Sequence, residues 1–76
     1  MLDNKYLVYL QKDDGGWWYF NKYPTEEGAK RSVADFLIAN HFIAPIIAGK
    51  LVKIRCVDGH VSYYDRNTLI ENRNKK

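Results

Sequence analysis

The sequence predicts an α+β fold: two antiparallel β-hairpins forming one four-stranded sheet, with one main helix packed on one face, in the order ββαββ. Three observations carry this reading. Two aromatic and β-branched stretches are each interrupted by an Asp-Gly turn, at Asp14-Gly15 and at Asp58-Gly59. Between them, Ala29, Val33, Phe36 and Leu37 recur at helical spacing. The chain has 76 residues, which is room for one small domain and no more.

Taken in order, Lys5-Tyr6-Leu7-Val8-Tyr9-Leu10-Gln11 is rich in aromatic and branched residues and has no helical stripe, so it reads as a strand. Lys12-Asp13-Asp14-Gly15-Gly16 is a turn, whose glycines can take the positive φ that hairpin loops demand. Trp17 to Tyr23 is the returning strand. Pro24-Thr25-Glu26-Glu27 starts a helix: Thr25 can accept from a free first-turn N–H, and the two glutamates favour the positive end of the dipole. Pro45 disfavours helical geometry at Ala44, so the helix is expected to span about 25–40 and to end near Asn40 or His41. Phe42 to Ala48 is expected to form a buried corner or short helix, with Gly49 as its C-cap.

Leu51 to Val57 reads as a strand, alternating from Val52 to Cys56 as a half-buried one should, and Asp58-Gly59 suits a two-residue type I′ turn into His60-Val61-Ser62-Tyr63-Tyr64. Asp65 can cap a short turn over 66–71, and the basic tail 72–76 is expected to fray. The domain is therefore 1–76. Phe36 and Leu37 are expected at the centre of the core.

Composition narrows the function classes. Hydrophobic residues are 46% and charged residues 28% of the chain, ordinary globular values that argue against disorder. Cys56 is the single cysteine, so neither an intramolecular disulfide nor a paired-cysteine zinc site can form. With no 18-residue apolar run and no basic-then-apolar leader, neither a membrane span nor a secretory signal is expected, and a reduced cytoplasmic setting is. The net charge is +3, and residues 65–76 carry four basic groups against two acids. Without them eight basic groups face seven acids, so the body is nearly neutral. A DNA mimic, which needs a dense acidic surface, is excluded.

Alternation sorts the strand residues into two faces. Tyr6, Val8, Leu10, Trp18, Phe20, Val52, Ile54, Cys56, Val61 and Tyr63 are assigned beneath the helix. The opposite face receives Leu7, Tyr9, Trp17, Tyr19, Tyr23, Lys53, Arg55, His60, Ser62 and Tyr64. A solvated sheet face is normally Thr, Lys, Glu and Ser, whereas this one carries five aromatic rings beside two cations. Rings and cations together suit the centre of a protein interface. They also suit a platform that stacks single-stranded bases. The plain alternative is that the terminal segment or the 42–48 corner folds over the face and makes a second small core.

Other candidates are weaker in chemical content. His41, His60, Cys56 and an aspartate match no zinc spacing, and no cofactor motif is present. Cys56 lies at an inward strand position, where cysteine packs as a small hydrophobe. Asp13-Asp14 and Glu26-Glu27 fit a turn and a helix start, not a shared acid–base site. No phosphate loop, nucleophile elbow or metalloprotease helix occurs, so an enzyme is not expected.

The passage Thr25-Glu26-Glu27-Gly28-Ala29-Lys30 after a strand resembles the turn into the helix of small sheet-plus-helix DNA-binding modules of mobile-element integrases, which have three strands where four are expected here. In size and in Lys, Asn, Ile and Tyr usage the chain is similar to small bacteriophage accessory proteins, among them anti-defence inhibitors. The expectation is a small non-enzymatic module that binds a protein partner through Tyr9, Trp17, Tyr19, Lys53, Arg55 and Tyr64. The same face would serve if the chain forms a homodimer. The alternative is weak, single-strand-preferring nucleic-acid binding; no membrane partner is expected.

Overall fold

The computed structural model describes residues 4–39 and 49–74. Its elements are β1 (Tyr6–Gln11), β2 (Trp17–Tyr23), α1 (Glu26–Ala39), β3 (Leu51–Cys56), β4 (Val61–Asp65) and α2 (Arg66–Asn74). The strands form one sheet in the order β2-β1-β3-β4, and each neighbouring pair is antiparallel. This is the expected α+β fold with a second helix added. Because β1 lies between β2 and β3, those two strands run parallel to one another, and α1 belongs to the crossover that such a connection requires.

Both hairpins turn in the same way. Gly15 N–H donates to Lys12 O at 3.0 Å and Lys12 N–H to Gly16 O at 2.8 Å, leaving a three-residue loop, Asp13–Gly15. In the second hairpin Gly59 N–H donates to Cys56 O at 3.0 Å and Cys56 N–H to His60 O at 2.7 Å, so the loop is Val57–Gly59. The third loop residue is left-handed in each, with φ 91° at Gly15 and 104° at Gly59. The preceding aspartate locks each turn: Asp14 Oδ1 accepts Gly16 N–H at 2.8 Å, and Asp58 Oδ1 accepts His60 N–H at 3.0 Å.

That third residue corrects the expected two-residue turn at Asp58-Gly59, and the correction runs the length of β4. A two-residue turn would set Val57 opposite His60; instead Arg55 faces Val61, Lys53 faces Tyr63 and Val52 faces Tyr64. A slip of one residue exchanges the faces of a strand. Ser62 and Tyr64 therefore join Val52 and Ile54 on the helix side, and Val61 and Tyr63 join Lys53 and Arg55 on the other. β2 carries a similar correction. Val8 faces Asn21 but Tyr9 faces Tyr19, so Phe20 is an extra residue in a β-bulge. Past the bulge Tyr23 pairs with Tyr6 on the helix side, and Lys22 pairs with Leu7 on the open side.

α1 begins as expected, Thr25 Oγ1 accepting Gly28 N–H at 3.0 Å. Its inner face supplies Ala29, Val33, Ala34 and Leu37 to a core with Val8 and Leu10 of β1, Val52 and Ile54 of β3 and Leu69 of α2. Leu37 is central, but Phe36 stands at the margin, its ring 4.8 Å from Phe20 and 6.4 Å from Trp18 over the β2 edge. α2 is capped by Asp65, whose Oδ1 accepts Thr68 N–H at 3.1 Å. It runs past the expected end at 71 into the supposedly frayed tail, where Arg73 Nε meets Asp35 Oδ1 at 2.6 Å. Both helices thus lie on one side of the sheet.

Gly49 is not a left-handed cap, since only Gly15 and Gly59 have positive φ among the described residues. Its bareness admits Gln11: Gly49 N–H donates to Gln11 O at 3.0 Å, and a Cβ would overlap the Gln11 side chain. The expected 42–48 corner lies outside the described residues.

Candidate functional site

The open face is built from a rung that crosses all four strands. Tyr19 on β2 pairs with Tyr9 on β1, Tyr9 with Lys53 on β3, and Lys53 with Tyr63 on β4. The rings of Tyr9 and Tyr19 meet edge to face, 5.6 Å apart. Lys53 Nζ lies 4.7 Å from the ring centroids of both Tyr9 and Trp17, a cation held between two π faces. Trp17 and Tyr63 are on opposite edge strands, about 14 Å apart at ordinary strand spacing. Their ring centroids are nevertheless 6.0 Å apart. Both side chains therefore lean inward over the sheet.

The next rung towards the far end of the sheet is Lys22, Leu7, Arg55 and Val61. Beyond it, Val57 N–H donates to Lys5 O at 2.9 Å, which continues the ladder and puts Lys5 and Val57 on the same face by alternation. The face is thus graded. An aromatic end holds Lys53 between Tyr9 and Trp17 with Tyr19 and Tyr63 packed beside them, and a basic end holds Lys5, Lys22 and Arg55 among Leu7, Val57 and Val61. Tyr19 is 46% exposed, Tyr63 58% and Val61 41%, and no helix among the described residues crosses this side.

No family model, curated protein or solved structure matches the chain. The functional reading therefore rests on geometry alone.

Five of the six residues singled out from the sequence, namely Tyr9, Trp17, Tyr19, Lys53 and Arg55, come together on this face. Tyr64 does not. It sits on the helix side, where its hydroxyl donates to Glu26 and its ring lies 5.1 Å beneath Lys30 Nζ. Burial, and then that bond to Glu26, push its phenol above the ordinary value. Tyr63 takes its place on the open face, and Lys22 and Val61 are further additions. The turn was the missing signal: Val57-Asp58-Gly59 and Asp13-Asp14-Gly15 share the spacing of an aspartate followed by a left-handed glycine, so the second loop could have been read from the first.

Under the sheet, Cys56 lines a small cavity of about 110 Å³ with Tyr6, Glu26, Asp58, His60 and Ser62. Cys56 is buried. The Asp58 carboxyl is held below its ordinary value, first by the His60 N–H and then by the Cys56 thiol. Electrostatic influence from Cys56, followed by burial, raises the Tyr6 phenol. No group of three His, Cys, Asp or Glu side chains poised to hold a metal ion occurs among the described residues, and His41 lies outside them. No helix among the described residues is long and apolar enough to cross a membrane.

Proposed function

We propose that the chain is a non-enzymatic binding module that occupies a surface of a protein partner with its open sheet face. The observation that carries this is the caged Lys53. Enclosed between Tyr9 and Trp17, it fixes a cluster of large rings that the core does not use, and rigid aromatic anchors lose little conformational entropy on binding. Tyr19 and Tyr63 flank the cluster with much of their surface in water, as interface anchors do before a partner arrives. An inhibitor with no chemistry of its own would act in this way, by covering a surface its target needs.

The test is capture from a lysate of the cells in which the chain is made, with excess untagged chain as competitor. The wild-type chain is expected to retain a competable partner that Trp17→Ala plus Tyr19→Ala loses while keeping its melting curve. An unchanged partner set in the double variant would remove this face from consideration.

A further inference from the structure

We infer that the partner surface is acidic, and that a second copy of this chain is not what the face meets; this rests on the open face being a protein contact. The whole chain is only mildly basic, but the fold sorts its charge. Every Lys and Arg in the four strands, Lys22, Lys53 and Arg55, is on the open face, and Lys5 joins them. Among the described residues none of these four is ion-paired. The strand carboxylate on this face is Asp65, opposite Leu51 at the aromatic end, and it already caps α2; Asp13, Asp14 and Asp58 lie in the hairpin loops at the two ends, where Asp14 and Asp58 accept the Gly16 and His60 N–H groups. Glu26, Glu27, Asp35 and Glu71 are all on helices, across the sheet from this face. Along the ladder, four cations without an ion pair stand against one engaged carboxylate, an imbalance that anionic groups from outside would meet.

A second copy supplies the wrong charge. Stacked with like ends together, two such faces set the Lys5, Lys22 and Arg55 cluster against its own copy, where like charges oppose contact; stacked with unlike ends together, the cluster meets another cation, Lys53, over rings whose faces that ammonium already occupies. A nucleic-acid strand supplies the right charge but finds its stacking places taken. Lys53 Nζ already lies over both Tyr9 and Trp17, so a base must displace the ammonium to stack there. A carboxylate needs no ring face and can pair with the exposed Lys5, Lys22 and Arg55. Acidic side chains set around an apolar patch match both ends of the face, the patch meeting Tyr19, Trp17 and Tyr63.

The experiment measures binding of the intact chain to a glutamate–tyrosine copolymer and to an oligo-dT single strand, each at two salt concentrations, alongside sedimentation equilibrium of the chain alone. The copolymer is expected to bind more tightly than the oligonucleotide and to weaken with salt. Its affinity should fall by at least about tenfold in Lys22→Glu plus Arg55→Glu. The chain alone should sediment as a monomer. Both substituted residues are exposed. A matching melting curve and a graded loss in the Gln pair, Lys22→Gln plus Arg55→Gln, separate charge from misfolding. Tighter binding of oligo-dT, copolymer binding indifferent to charge reversal, or a dimer abolished by Trp17→Ala would each overturn the inference. Capture distinguishes the two levels. If the charge-reversed chain keeps the partner that Trp17→Ala plus Tyr19→Ala loses, the protein contact stands and its acidity falls. If neither variant changes capture, the face itself is wrong.

Discussion

On the helix side of the sheet, Val8, Leu10, Val52 and Ile54 lie under α1 and α2 and are almost wholly removed from water. On the other side of the same four strands, Tyr9 and Trp17 hold one lysine between them with Tyr19 and Tyr63 alongside, and the last two rings stay about half exposed. The first side has an aliphatic centre, rimmed by Tyr6, Trp18, Phe20, Tyr23 and Tyr64, and is interlocked with the helices. The second is aromatic, cationic and uncovered among the described residues. Aliphatic burial holds the fold together through area taken from water. An aromatic face left in water adds little to stability and much to contact. Under the proposed function, stability and recognition are divided between the two faces of one sheet, and a substitution should move one without the other.

The largest effect should come from the buried side. Leu37→Ala removes a large side chain that is 5% exposed at the centre of the core. It should cost about 2–5 kcal/mol in chemical denaturation, enough to unfold so small a domain. A loss below about 1 kcal/mol would mean that the core relaxes around the gap and that the two sides differ less than described.

The turns that set which residue faces which side should come next. Gly15→Ala and Gly59→Ala meet no atom within 4 Å, so only their left-handed backbone resists the change. Each should lower stability by about 1–2 kcal/mol, and by similar amounts, because the two loops are built alike. Unequal losses would show that the loops are not equivalent.

A smaller effect, whose size depends on pH, belongs to the Tyr64–Glu26 bond. Tyr64→Phe should cost about 0.5–1.5 kcal/mol at neutral pH. Since the folded chain holds the Tyr64 phenol above its ordinary value of 10.0, the neutral form is favoured more in the folded than in the unfolded state. Its contribution is complete below that value and is lost as pH rises through the folded-state value. Stability of the wild-type chain should therefore fall in alkali, and Tyr64→Phe should make that fall shallower. An unaltered alkaline limb would place the titrating group elsewhere, with Tyr6 the next candidate.

The elements themselves were legible because each has a local cause: β-branched and aromatic runs for the strands, Thr25 and the 29–37 periodicity for α1, Asp-Gly for the turns. The faces of β1 and β3 followed from simple alternation, which held along both strands. The faces of β2 past Phe20 and of the whole of β4 did not follow, since one bulged residue and one extra loop residue each reverse the alternation. Val61-Ser62-Tyr63-Tyr64 offers no hydrophobic contrast to reveal such a reversal, with a tyrosine available to either side. α2 was under-read for a different reason. Its first turn is stabilised by Asp65, but its outer turns depend on Leu69 reaching the core and Arg73 reaching Asp35, both tertiary contacts. The aromatic excess was visible in composition, while the cage around Lys53 required the cross-strand register.

The division between the two faces is most directly tested by two neighbours in sequence, Tyr63 and Tyr64, changed singly to alanine with unfolding free energies measured at neutral pH. Tyr64 is partly buried against the core and bonded to Glu26, whereas Tyr63 is 58% exposed on the open side. Tyr64→Ala is expected to lose about 2–3 kcal/mol and Tyr63→Ala no more than about 0.5 kcal/mol. Equal losses, or a larger loss at Tyr63, would contradict the register of β4 and with it the separation of the stabilising face from the proposed binding face.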